Sequence, residues 1–146
     1  MKFLTIFAAI LVLLPCAAKS EEPTHHVVEV VTDADNLRMY FDPKVLLIEP
    51  GDTVTWKNLF KEDHNVVTYP DGFPKGSEGL NSPFFKESGD SWSHTFKEEG
   101  TFDYHCIPHI LLGMHGSIVV GKPSKAADYH IPNRDVVAAY RNRLVE

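Results

Sequence analysis

The chain has 146 residues, with 14 lysines and arginines against 20 aspartates and glutamates, for a formal net charge of −6. That length suits a single domain with a proper core. The acidic balance argues against nucleic acid as a partner and weakly favours a cationic one.

The first stretch reads as a secretory signal over residues 1–20. Lys2 gives a positive start, residues 3–14 are apolar except for Thr5, and Cys16, Ala17 and Ala18 are small. The run is too short for an ordinary membrane-spanning helix. Cleavage is expected after Ser20, with Ala18 as the alternative cut. A lipid anchor on Cys16 is disfavoured, because Pro15 stands where a small residue is needed. The mature chain is then periplasmic or secreted, with no stable membrane span. It loses Lys2 and Lys19 and keeps one cysteine, Cys106. In an oxidising compartment a lone cysteine is a free thiol, an intermolecular partner or a metal ligand.

Residues 27–31 are rich in valine and predict a first strand, and residues 45–48 a second. Pro50 and Gly51 supply a turn. Residues 53–57 alternate as in a half-buried strand, with Val54 and Trp56 expected on differing faces. Residues 65–69 predict the next strand. Residues 70–90, rich in Gly, Pro, Ser and Asn, predict an irregular excursion with a short helix near 82–86. Residues 91–96 alternate again, with Trp92, His94 and Phe96 on one face. In residues 101–106, Phe102, Tyr104 and Cys106 point one way and His105 the other. Residues 117–121 close the sheet. Short strands separated by turns, with no helical period between them, predict an antiparallel β-sandwich. Residues 21–122 form this domain. Residues 123–146 form a tail, in which Asn133 caps a helix through Val136, Val137, Ala138, Tyr140 and Leu144.

The chemistry lies in one loop. His109 follows Cys106 by three residues and Met114 follows it by eight. A thiolate, an imidazole and a thioether are soft ligands that select copper, and two histidines, a cysteine and a long axial methionine make a blue-copper site. His64, beside Asn65, is the candidate second histidine. A strand ending at Cys106 fixes the thiolate. Gly113 allows the turn back to Met114. Pro108 stiffens the loop and removes one N–H otherwise free to reach the sulfur, which favours a higher reduction potential.

The motifs Phe41-Asp-Pro43, Pro50-Gly-Asp-Thr-Val-Thr-Trp56, His64-Asn-Val66, Gly100-Thr-Phe-Asp-Tyr104 and Cys106-Ile-Pro-His109 through Gly113-Met114 resemble those of a cupredoxin of the plastocyanin, amicyanin and pseudoazurin type. The closing strand and tail are most similar to pseudoazurins. The resemblance covers roughly residues 27–121 and implies a Greek-key sandwich holding one type 1 copper through His64, Cys106, His109 and Met114. It also implies that the Asn65 backbone N–H bonds the Cys106 sulfur while its side chain ties two loops. The implied function is a small soluble protein that is not an enzyme and shuttles single electrons between periplasmic redox partners by outer-sphere transfer. Pro108, Ile110, Leu111 and Leu112 make an apolar loop suited to docking those partners around His109. The alternative is an oligomeric copper oxidoreductase. A histidine directly before the cysteine, here His105, resembles copper nitrite reductases and multicopper oxidases, where it binds a second copper. His94 reads as structural or surface, His115 as a surface residue, and His25 and His26 as part of a solvated terminus.

Overall fold

The computed structural model describes residues 22–122. Eight strands run in chain order: β1 His25–Asp33, β2 Arg38–Asp42, β3 Val45–Ile48, β4 Thr53–Asn58, β5 Val67–Thr68, β6 Ser91–Thr95, β7 Gly100–His105 and β8 His115–Val120. They form two four-stranded sheets, ordered β2-β1-β4-β6 and β3-β8-β7-β5. The all-β two-sheet expectation holds, but the sheets are mixed rather than antiparallel. β1 runs parallel to β4, and β3 parallel to β8. The chain crosses from one sheet to the other between β2 and β3, so strands adjacent in sequence are not always adjacent in space. The proposed tail helix lies outside the described residues.

Alternation places the core. Val54, Trp56 and Asn58 are all buried, so Val54 and Trp56 share one face of β4, as a two-residue period requires. Phe41, Trp56, Phe96, Phe102 and Tyr104 meet between the sheets, with Phe41–Tyr104 and Phe96–Phe102 rings edge to face at 4.9 Å. Gly116 lies opposite Tyr104, and a Cβ there would come 2.5 Å from the Tyr104 hydroxyl. On β6, Trp92 and His94 face the same way as buried Phe96, as the alternation predicts.

The segment near 82–86 is extended rather than helical. Phe85 forms an isolated bridge with His64, and Asn81 with Val67. The segment's backbone pairs instead with the chain leading into β5, the Ser82 N–H donating to the Val66 carbonyl at 2.9 Å. This segment lines the end of the sandwich where the metal-ligand candidates gather.

Candidate metal centre

β7 delivers Cys106 to the buried side, two residues beyond Tyr104 on the same face. The loop after it is closed by its own backbone. The Cys106 N–H donates to the Met114 carbonyl at 3.1 Å, and the His109 carbonyl accepts from Leu112 at 3.0 Å and Met114 at 3.3 Å. Ile110–Leu112 form one 3-10 turn, stopped by Gly113 at φ 78°, a left-handed angle natural to glycine.

His64 enters from the other side. Its N–H and carbonyl exchange two backbone hydrogen bonds with Phe85, at 3.1 and 2.8 Å. Asn58, fully buried at the end of β4, directs its side-chain amide at the carbonyls of Phe60, Glu62 and Glu87, at 2.7, 3.3 and 3.2 Å. The loop leading to His64 is thereby fixed to the loop before β6. Asn65 then ties the two halves, its Oδ1 accepting the Ile107 N–H at 2.8 Å.

The side chains converge. His64 Nδ1 lies 3.6 Å from Cys106 Sγ, His109 Nδ1 lies 3.5 Å from the same sulfur, and the two nitrogens are 3.2 Å apart. Metal–nitrogen and metal–sulfur bonds of roughly 2.0–2.3 Å at trigonal or tetrahedral angles put donors about 3.1–3.8 Å apart, so the triangle fits one ion. Among the described residues, no other three histidine, cysteine or carboxylate side chains gather this closely. His64 Nε2 lies 3.0 Å from Thr32 Oγ1, so a ring whose Nδ1 binds a metal can donate its Nε2 proton to the hydroxyl. Burial, and then the neighbouring His109, hold the His64 imidazole down at about 4, so it is neutral without help from a metal. Met114 is fully buried beside Cys106 in the core.

Burial pushes the Cys106 thiol up, against backbone hydrogen bonds from Asn65 and His109 that lower it. The Asn65 effect runs in the direction that the backbone bond to sulfur implied by the resemblance requires. The His109 N–H donates to the Cys106 carbonyl at 3.2 Å.

A family model for copper binding proteins, the plastocyanin/azurin family, matches residues 28–121. The chain belongs to this family. It is 38% identical over 96 residues to a plastocyanin from Scenedesmus fuscus, covering 64% of this chain and 98% of that one. To an amicyanin from Paracoccus denitrificans it is 38% identical over 86 residues, covering 59% and 62%. A Sinorhizobium pseudoazurin structure superposes with a TM-score of 0.61 at 32% identity, covering 81% of this chain and 92% of that one. The cupredoxin is thus a small blue copper electron-transfer protein with copper as its cofactor, not an enzyme.

The reading of His105 as a second copper ligand is not favoured. Its ring packs on Tyr69 with centroids 4.4 Å apart, and no third ligand joins it among the described residues. All four candidate ligands do come to one end of the sandwich. Thr32, Asn58, Ser82 and Phe85, which hold the His64 side, went unnoticed in the sequence.

Proposed function

We propose that His64, Cys106, His109 and Met114 hold one type 1 copper, and that the protein shuttles single electrons between periplasmic redox partners. The observation that carries this reading is the triangle of donors spanning 3.2–3.6 Å, drawn from two loops 42 residues apart. Bound copper supplies a one-electron couple between Cu(I) and Cu(II).

The protein's part is to hold its side chains still. Thr32 fixes the His64 ring, Asn65 fixes the start of the ligand loop, and the backbone bonds between Cys106, His109 and Met114 close it. A site held this way needs little rearrangement between oxidation states, which suits outer-sphere transfer. Tyr104, Phe85 and Val66 are buried around the site and keep water from it. His109 is half-buried, so its ring bridges the site and the surface. Around it, Ile110, Leu111 and Leu112 are exposed by 40%, 96% and 61%, an apolar face fitted to brief redox encounters.

The proposed mature domain is residues 21–122, released from a signal over residues 1–20 into the periplasm or outside the cell. No helix among the described residues is long and apolar enough to cross a membrane. A copper titration followed by visible and EPR spectra tests the site. One copper per chain with an intense thiolate-to-copper band is expected, lost in Cys106→Ser. A colourless copper-loaded protein, or a spectrum that Cys106→Ser leaves unchanged, overturns it.

A further inference from the structure

β7 turns Phe102, Tyr104 and Cys106 to the core and buries its other face as well. On that second face Thr101 and Asp103 are each 3% exposed. The chain of residues 69–72 covers them. The Tyr69 N–H donates to the Asp103 carbonyl at 3.1 Å, and the Asp103 N–H donates to the Gly72 carbonyl at 2.6 Å. A Cβ on Gly72 would come 2.9 Å from the Asp103 carbonyl oxygen and 3.3 Å from its Cβ, so the turn lies flat on the strand. The Asp103 carboxylate accepts a hydrogen bond from Ser117, its partner across the ladder on β8. Two residues further along the same face stand His105 on β7 and His115 opposite it on β8. From the covering loop come Tyr69, whose ring packs on His105, and the exposed Asp71 and Lys75. Lys44, just ahead of β3, lends its carbonyl to the Ser117 N–H. Burial holds His105 below its usual range, which favours a neutral ring beside Asp103.

We propose that Asp103 is a redox-linked proton site: its carboxylate takes up a proton when the copper at the end of β7 is reduced, and releases it when the copper is oxidised. A strand rises about 3.3 Å per residue, so the Cα atoms of Asp103 and Cys106 are about 10 Å apart. Their side chains leave opposite faces of β7, and the coupling is through space. At an effective dielectric constant of about 20, one unit of charge at that range changes proton affinity about tenfold. An exposed carboxylate at the same distance is screened by salt, whereas Asp103 is packed away from it. In the reduction, a one-electron donor supplies the electron. Water supplies the proton, and one O–H bond forms on Asp103. Oxidation reverses both. An ionised Asp103 favours Cu(II), so it lowers the potential, and protonation raises it. The potential therefore falls as pH rises through the range in which Asp103 titrates, about 6 in the metal-free fold. This inference rests on the copper assignment above, because the linkage needs a charge beside Cys106 that changes by one.

The test follows the Asp103 carboxyl by carboxyl-carbon NMR in wild-type protein loaded with Zn(II) or with Cu(I). Both ions are diamagnetic, and exchanging Zn(II) for Cu(I) removes the same unit of charge as reducing Cu(II). Asp103→Asn assigns the signal by its loss. The carboxyl is expected to hold its proton about tenfold more tightly in the Cu(I) form, moving its midpoint up by about one pH unit. Equal midpoints overturn the linkage. Reduction potentials from about pH 4.5 to about pH 8 give a second reading. Wild type should lie below Asp103→Asn by about 59 mV at the alkaline end, the equivalent of tenfold for one electron, and meet it at the acid end. Protonation of His109 in the reduced form acts on both proteins and drops out of the difference. A difference that stays constant with pH overturns the proposal. Asp71→Asn removes an exposed carboxylate from the covering turn and should leave both readings as in wild type. An equal effect there makes the linkage a matter of general surface charge and overturns it. Wild-type protein that takes up no copper overturns the assignment beneath the linkage, whereas bound copper with equal midpoints overturns the linkage alone.

Discussion

Thr32 Oγ1 lies 3.0 Å from His64 Nε2, so the buried histidine is held from behind by a hydroxyl on β1. Thr32→Val keeps the shape and removes the acceptor, leaving a ring N–H unpaired at a fully buried residue. Loss of such a bond behind a ligand typically costs 10- to 100-fold in metal affinity. Copper affinity, measured by competition with a chelator of known strength, is expected to fall by roughly that range. Thr32→Ser should restore most of it, because the hydroxyl returns. Equal affinity in wild type and Thr32→Val would show that packing alone orients the ring.

Asn58 reaches three carbonyls with one amide, and it is the side chain that fixes the approach to His64. Asn58→Asp replaces that donor with an acceptor facing three acceptors at 0% exposure. The expected cost is at least about 3 kcal/mol in urea unfolding, combining lost hydrogen bonds with an uncompensated buried charge. Asn58→Ala should cost less, since it leaves no charge behind. The reverse order of the two variants would contradict the donor role.

The metal loop was legible because Cys106, His109 and Met114 lie within nine residues, where spacing alone limits the geometry. The strands were legible from alternation, most clearly at Trp92, His94 and Phe96. The parallel pairings of β1 with β4 and β3 with β8 were not. A strand's own pattern records which face is buried, while its neighbours are chosen by the packing of the whole sandwich. Thr32 escaped notice for the same reason, since its bond to His64 spans 32 residues and nothing near it in sequence marks it. Phe85 sat where a short helix was expected within an irregular stretch. Its two backbone bonds to His64 arise from long-range pairing that composition does not record.

Asp103 gives the fold a pH dependence of unusual sign. It is 3% exposed beneath residues 69–72, and Ser117 donates a hydrogen bond to its carboxylate. Burial raises its pKa to about 6, outweighing the Ser117 bond that lowers it. The folded state therefore holds its proton more tightly than the unfolded chain, whose aspartate titrates near 3.9. The contribution of this group is fully present below about pH 4 and is lost as pH rises through about 6, at a cost of up to about 3 kcal/mol at neutral pH. Asp103→Asn keeps an acceptor for Ser117 and removes the charge. In copper-free protein, so that metal release does not intrude, urea unfolding should find the variant more stable than wild type at pH 7. The gap should close towards pH 4. A gap that stays constant with pH would place the titration elsewhere.

Leu37 carries a backbone cost at an exposed turn. Its φ of 51° costs a leucine roughly 1–2 kcal/mol, and at 84% exposure its side chain recovers little of that by burial. Glycine meets no such penalty there, although its freer unfolded chain takes back part of the gain. Leu37→Gly is therefore expected to raise stability by about 0.5–1 kcal/mol, or several degrees in Tm for a domain of this size. Leu37→Ala keeps the left-handed strain while removing most of the apolar surface, and should not raise Tm. If both variants were destabilised alike, the side chain would be supporting the hairpin rather than facing solvent. A rise confined to glycine would show that the left-handed backbone, and not the leucine side chain, sets the cost.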